Sequence, residues 1–177
     1  MKKLIAMVEA VCLSTPGVRV AKAPQDEAFI GPHGLVGDRH EAEFLRARTG
    51  AVFPNHRQWS AVSVEEVTEL CFEMGVPVFA AGALGENLRL SGLRLAEVAA
   101  GSVLEFPSGA RLQVAGQNDP CVNAAAELSR SYGAVVERYF VKCAFGRRGL
   151  IGSVLEPGLV RPGDSVAVLV PEPAETV

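Results

Sequence analysis

"SVLEFPSGARLQVAG", residues 102–116, decides the fold. Two short runs rich in Val and Leu, 102–106 and 110–116, flank the turn residues Pro107, Ser108 and Gly109. Run, turn, run predicts two strands joined by a tight connection. The same pattern recurs at 86–90, 138–145, 149–156 and 164–170, each run bounded by Gly, Pro, Asp or Ser. Residues 3–13 and 57–63 add two strands upstream. Only two helices are expected, at 63–77 and 120–132. Many short strands with few helices predict a mainly β chain, folded as a closed or partly closed β-barrel with a few peripheral helices.

Composition agrees with one domain, 1–177, with its core over about 4–170. Of 177 residues, 49% are apolar and 21% charged, enough to bury a sizeable core. The 18 glycines and 11 prolines are spread along the chain and punctuate segments rather than forming a linker. The net charge of -3 and the short basic clusters, Lys2-Lys3 and Arg147-Arg148, give no nucleic-acid footprint. "MKKLIAMVEAVCL" starts basic and apolar as a leader would, but Glu9 interrupts it and no A-x-A site follows. Val11 before Cys12 also argues against a lipoprotein site. No run approaches the ~20 apolar residues of a membrane span. The expectation is a cytoplasmic protein.

Residues 14–34 are rich in Pro, Gly and polar residues and are expected to be mostly loop, and 41–56 is a polar stretch. The first helix has Ser63 as cap and Glu66 three residues on, which predicts a capping box. Val67, Leu70, Cys71 and Met74 recur on one face, and Gly75 and Pro77 mark the stop. "GSVLE" occurs at 101 and 152, too short a match to read as a repeat.

Four cysteines lack any C-x-x-C spacing, so free thiols are expected. Cys12, Cys71 and Cys143 have apolar neighbours. Cys121 differs, because Asp119 is a good helix cap and Pro120 a good first helical residue. A thiol in that first turn meets unpaired backbone N–H groups and the positive end of the helix dipole, which favours the thiolate. The nearby Asp119 carboxylate opposes this. The alternative is a small residue packed at a helix start.

Two further stretches are polar enough for a site. "GLVGDRH", 34–40, presents Asp38, Arg39 and His40 in a row, where an Arg fork held by a carboxylate can bind an anion. "GALGENL", 82–88, places Glu86 and Asn87 before a strand. Each also reads as an ordinary polar turn. Arg57 and Arg148 sit at strand mouths, as phosphate contacts or as surface charges. His33, His40 and His56 are scattered and form no metal motif. Neither a P-loop, a G-x-G-x-x-G nor a G-x-S-x-G is present.

In order, "GLVGDRH", "RQWSAVS", "GENLRLSGL", "PC" at 120–121 and "RRGLIGSVLEPGLVRPGDSV" resemble the MOSC domain, the module named after the C-terminal part of molybdenum cofactor sulfurases. The match runs from about residue 4 to 170. The resemblance implies a MOSC-type β-barrel and makes Cys121 the family's signature cysteine, carrying persulfide sulfur or ligating molybdenum. It implies that Asp38, Arg39, His40, Glu86 and Asn87, with Arg57 and Arg148, contact the pterin or phosphate of the molybdenum cofactor (molybdopterin). One departure is "GQNDPC", 116–121, where members with an established cofactor role often carry an Arg just before "PC". Pyridoxal phosphate is not expected, since no lysine has a Schiff-base setting.

Three functions follow. The first is a molybdenum-cofactor-binding or sulfur-carrier protein using Cys121. The second is a cofactor-dependent reductase of N-hydroxylated compounds, with electrons from a donor protein because no flavin or Fe–S pattern is visible. The third is a non-catalytic module that binds a partner through 14–34 or 41–56. An electron-donor or sulfur-donor protein is the expected partner, and the oligomeric state stays open.

Overall fold

A computed structural model describes residues 1–172. The chain opens with β1 (Lys2–Ser14), β2 (Lys22–Gln25), β3 (Ala28–Gly31), β4 (Gly34–Leu35), β5 (Phe44–Arg46), β6 (Val52–Pro54) and β7 (Trp59–Ser63). Helix α1 (Val64–Met74) leads to β8 (Leu88–Ser91), a 3-10 turn (Leu95–Glu97), β9 (Val103–Glu105) and β10 (Arg111–Gln117). Then come α2 (Val122–Tyr132), α3 (Ala134–Ala144), β11 (Leu150–Glu156), β12 (Gly158–Val160) and β13 (Ser165–Val170).

The hairpin at 102–116 forms as read: β9 and β10 pair antiparallel with Leu104 opposite Leu112. From there the sheet closes on itself in the order β13-β9-β10-β11-β7-β8-β1, and β1 returns to β13. The result is a closed seven-stranded barrel. Its pairings are antiparallel except β7 with β8, which run parallel. β2 extends the sheet beyond β1. A smaller sheet, β12-β3-β4, and the ribbon β5–β6 complete the strands.

Alternation writes the barrel interior. Along β1, Ala6, Val8 and Ala10 are buried while Ile5, Met7 and Glu9 are exposed, the period of two that a strand imposes. Leu88, Leu90, Leu104, Leu112, Leu150, Val166 and Val168 fill the centre with Trp59. The Trp59 indole donates to Ser153 O at 3.0 Å. Gly152 beside it is obligatory by space: a Cβ there would lie 1.9 Å from Gln113 O and 2.5 Å from the Trp59 ring.

A second core lies outside the barrel, where Val67 and Leu70 of α1, Leu128 of α2 and Phe140 of α3 pack around Phe79 and Leu84. Burying a side chain such as Phe140 contributes roughly 1.5–3 kcal/mol. No helix among the described residues is long and apolar enough to cross a membrane.

Several expectations are corrected. Of residues 138–145, read as a strand, 138–144 belong to α3 and Phe145 caps it, so the described residues hold three α-helices. Tyr139, Phe140 and Val141 favour strands, but Val136, Phe140 and Ala144 are spaced to share one buried helical face, and that face decides. The segment 14–34 also holds two short strands between its loops, as β2 and β3 pair with β1 and β12. The polar stretch 41–56 contains the β5–β6 ribbon. Ser63 does cap α1, accepting from Glu66 N at 3.3 Å. The reciprocal half of the box is absent. The Glu66 carboxylate instead accepts from Leu95 N and Ala96 N, while Ser63 donates to Glu65. Cys143 is half-buried rather than core.

Candidate functional site

Cys121 stands where β10 hands over to α2. Asn118 N donates to Gly149 O at 2.8 Å, carrying the β10–β11 pairing one residue past the strand. Four residues later, at Val122, the helix begins. Cys121, not Asp119, is the cap residue, with extended φ −129 and ψ 155 and no side-chain capping bond. Helix α2 therefore starts two residues later than the sequence suggests. The thiol is exposed, whereas Cys12 and Cys71 are buried. Burial raises the Cys71 thiol, and burial with the Glu86 carboxylate pushes Cys12 up to about 12.

Cys121 lines a cleft together with Arg19, Arg39, His40, Arg57 and Arg148. Arg148 precedes β11 and is 5% exposed. Its Nη2 donates to Leu84 O. Its Nε and Nη1 are buried with no hydrogen-bond partner among the described residues. Desolvation lowers its pKa to about 10, with Glu86 pulling upward and Arg57 downward. A buried cation with two unpartnered nitrogens on a cleft wall is a site for an anion.

Arg57 precedes β7. Its backbone N donates to Asn55 Oδ1 at 2.9 Å and its Nη2 to Asn118 Oδ1 at 2.8 Å. The Asn118 that breaks the family pattern thus holds a neighbouring arginine.

His40 is held from behind. Its Nδ1 lies 3.2 Å from Asp38 Oδ1, and Lys22 Nζ donates to the same oxygen at 2.9 Å. The Lys22 and Asp38 side chains are 0% exposed. Ser14 N and Oγ donate to Asp38 Oδ2. Burial alone would raise the Asp38 carboxyl, but the His40 hydrogen bond and the Lys22 ammonium outweigh it and hold it well below the carboxylate range. Burial pulls the Lys22 ammonium down to about 8 despite Asp38. With Nδ1 engaged, His40 presents Nε2 as its free ring nitrogen.

Asp38, Glu86 and Asn87 do not line the cleft. They build its wall. Glu86 Oε1 accepts from Gly82 N and Arg89 Nη2, both at 2.8 Å. Asn87 Oδ1 accepts from Ser60 N at 3.2 Å, and its amide donates to Cys12 O at 3.2 Å. Gly85 lets this wall meet the opposite loop: its φ is +77, and a Cβ would lie 2.7 Å from Val20 O.

Sequence reasoning missed Arg19 and Glu127. Arg19 sits in the segment read as loop, just before β2, and is brought to the cleft by contacts distant in sequence. Glu127 of α2 accepts from Val20 N and Ala21 N, at 3.1 and 2.8 Å. His33 and His56 stay outside the cleft. Among the described residues, no group of three or more His, Cys, Asp or Glu is placed to hold a metal ion.

The family model described as "MOSC domain" matches residues 48–167. The chain is 34% identical to YuaD of Bacillus subtilis (strain 168), over 94% of this chain and 92% of that one. The name of that protein assigns it provisionally to metal-sulfur cluster biosynthesis. The crystal structure of YuaD superposes with a TM-score of 0.91 at 31% identity, covering 97% of this chain and 99% of YuaD. YiiM from Geobacillus stearothermophilus shares the fold, with a TM-score of 0.68 at 20% identity over 94% of this chain and 75% of its own.

Proposed function

This chain belongs to the MOSC domain family, and from that membership and the arginine-lined cleft we propose that it binds a molybdenum cofactor or carries sulfur on Cys121. The observation that carries the reading is Arg148, whose buried Nε and Nη1 lack partners on the wall shared with Cys121. An anionic ligand satisfies both groups and offsets their desolvation. The cleft fits such a group at its anionic end. Its cavity of about 130 Å³ takes a phosphate-sized headgroup, and the exposed thiol meets what lies outside. Arg148, Arg57 and Arg19 would hold the anion, and Cys121 would ligate the metal or hold a sulfane sulfur. A thiolate is a soft ligand suited to molybdenum. The cofactor, when bound, supplies a metal that accepts and donates electrons.

The chain's own residues orient, shield and handle protons. Asn118 aims Arg57, and Asp38 fixes the ring of His40. The name of YuaD, with its reference to metal and sulfur, supports a sulfur-related role for this relative as well.

A second reading, reduction of N-hydroxylated compounds, is favoured by His40. Cleaving an N–O bond reductively consumes protons as well as electrons. A histidine tethered by a carboxylate is suited to deliver protons. The electrons would come from a donor protein.

The test is molybdenum and labile sulfur per chain on protein made anaerobically in a cofactor-competent host, with wild type beside Cys121→Ala. Metal or sulfur in wild type alone supports the reading. None in either protein favours a partner-binding module, whereas equal content in both shows that the ligand is held without Cys121.

A further inference from the structure

Residues 18–21 border the cleft as a bent strap, gripped from both sides. The Arg39 guanidinium donates to four carbonyls of this strap: Val18 O at 2.9 Å, Ala21 O at 3.3 Å, and the oxygens of Arg19 and Val20 between them. Opposite, the Glu127 carboxylate accepts from Val20 N and Ala21 N. Arg39 N is itself tied to Ser14 Oγ at 3.1 Å. The grip joins the strap to two elements distant in sequence, the 35–40 loop and helix α2. Between the clamped groups stand Arg19 and Val20, both lining the cleft beside Cys121.

A guanidinium spread over four carbonyls has few N–H groups left for a ligand. Its arrangement is that of a fastener. The residue it fastens, Arg19, has no side-chain hydrogen bond of its own among the described residues and remains free to meet an anion.

We propose that Arg19 is a specificity-determining residue of the cleft, selecting anionic reactants at Cys121, and that Arg39 and Glu127 are positioning residues that hold its strap. This rests on the reading that the cleft receives an anion beside that thiol. It adds which arginines touch the anion and which do not.

The experiment compares two disulfide probes on the full chain carrying Cys143→Ser, so that Cys121 is the exposed thiol. One probe is the dianionic dithiobis-nitrobenzoate, and the other is neutral dithiodipyridine. With either, the Cys121 thiolate attacks one probe sulfur. A new S–S bond forms, the probe's own S–S bond breaks, and an arylthiolate leaves with the electron pair. The thiol proton goes to buffer. The readout is the ratio of the two rate constants at low salt.

Arg19→Gln is expected to lower the preference for the anionic probe by about threefold to tenfold, with the neutral probe unaffected. Arg39→Lys keeps the charge but cannot span four carbonyls, so it is expected to lower the ratio as Arg19→Gln does, and the double variant to go no lower. Glu127→Ala is the sharper test. Removing a carboxylate near the cleft should by charge alone raise the preference for an anion, whereas loosening the strap lowers it.

A ratio unchanged in Arg19→Gln overturns the proposal. So does wild-type behaviour in Arg39→Lys, or a raised ratio in Glu127→Ala. A wild type without any anionic preference overturns the cleft reading itself. An anionic preference that survives Arg19→Gln but falls in Arg148→Met overturns the strap alone.

Discussion

Asn118 and Arg57 lie 61 residues apart in the chain and 2.8 Å apart at Oδ1 and Nη2. The bond ties the end of β10 to the start of β7 and aims a guanidinium at the cleft. Asn118→Ala is expected to leave the fold intact, at a cost of about 1 kcal/mol for one lost hydrogen bond. The rate of Cys121 with the anionic disulfide should drop by about threefold as Arg57 swings free. Thermal unfolding and stopped-flow rates check the two halves.

Arg148 separates stability from binding. Its buried charge is incompletely paired, so Arg148→Met is expected to raise stability by roughly 1–2 kcal/mol, the reverse of most core substitutions. The same change should weaken the anionic preference at Cys121, leaving the part that Arg19 supplies. Urea unfolding beside the probe assay tests this. A destabilised Arg148→Met protein would show that the Leu84 carbonyl bond outweighs the desolvation of the cation.

Lys22 and Asp38 form a fully buried ion pair 2.9 Å apart. Either Lys22→Met or Asp38→Leu alone strands a charge and is expected to cost about 3–5 kcal/mol. The double variant should cost clearly less than the sum. A double-mutant cycle by chemical denaturation measures the coupling, and strict additivity would contradict the pairing.

Asp38 also sets an acid limit. Its folded carboxyl is held below the ordinary value of 3.8. Its contribution is therefore complete above that ordinary value and is lost as pH falls further, where the unfolded chain takes the proton first. Melting temperatures between pH 5 and pH 2 should fall more steeply for wild type than for Asp38→Asn, which starts lower at neutral pH. Parallel slopes would mean that other carboxylates dominate acid unfolding.

The barrel was legible in the sequence because turn chemistry is local. Pro107, Ser108 and Gly109 announce one connection, and alternation in β1 announces which face is inside. Helix α3 was hidden because Tyr139, Phe140 and Val141 carry strand propensity, while only Phe140 is buried, against a core that includes α1 from far away in the chain. At the site, Cys121, Arg57 and Arg148 were visible from their places at segment ends. The distinction between wall and lining was not. Asp38 and Glu86 are polar residues in glycine-rich turns, and only Lys22 and Arg89, brought in by pairing and packing, turn them inward. Arg19 had no local signal at all.

The single parallel contact between β7 and β8 has a consequence of parity. Strands around a closed ring must return to their starting direction, so the number of direction reversals is even. Seven joints therefore cannot all be antiparallel, just as an odd necklace cannot alternate two colours. One mismatch is compulsory. It can be moved round the ring but never removed without adding or deleting a strand. A parallel joint also forbids a short hairpin, so the chain must leave the ring and come back. Here that excursion is α1 and the loop bearing Leu84 and Gly85, and the cleft opens where it returns, at the leading ends of β7 and β8. The functional opening of this barrel thus sits at the one joint that arithmetic obliges it to have.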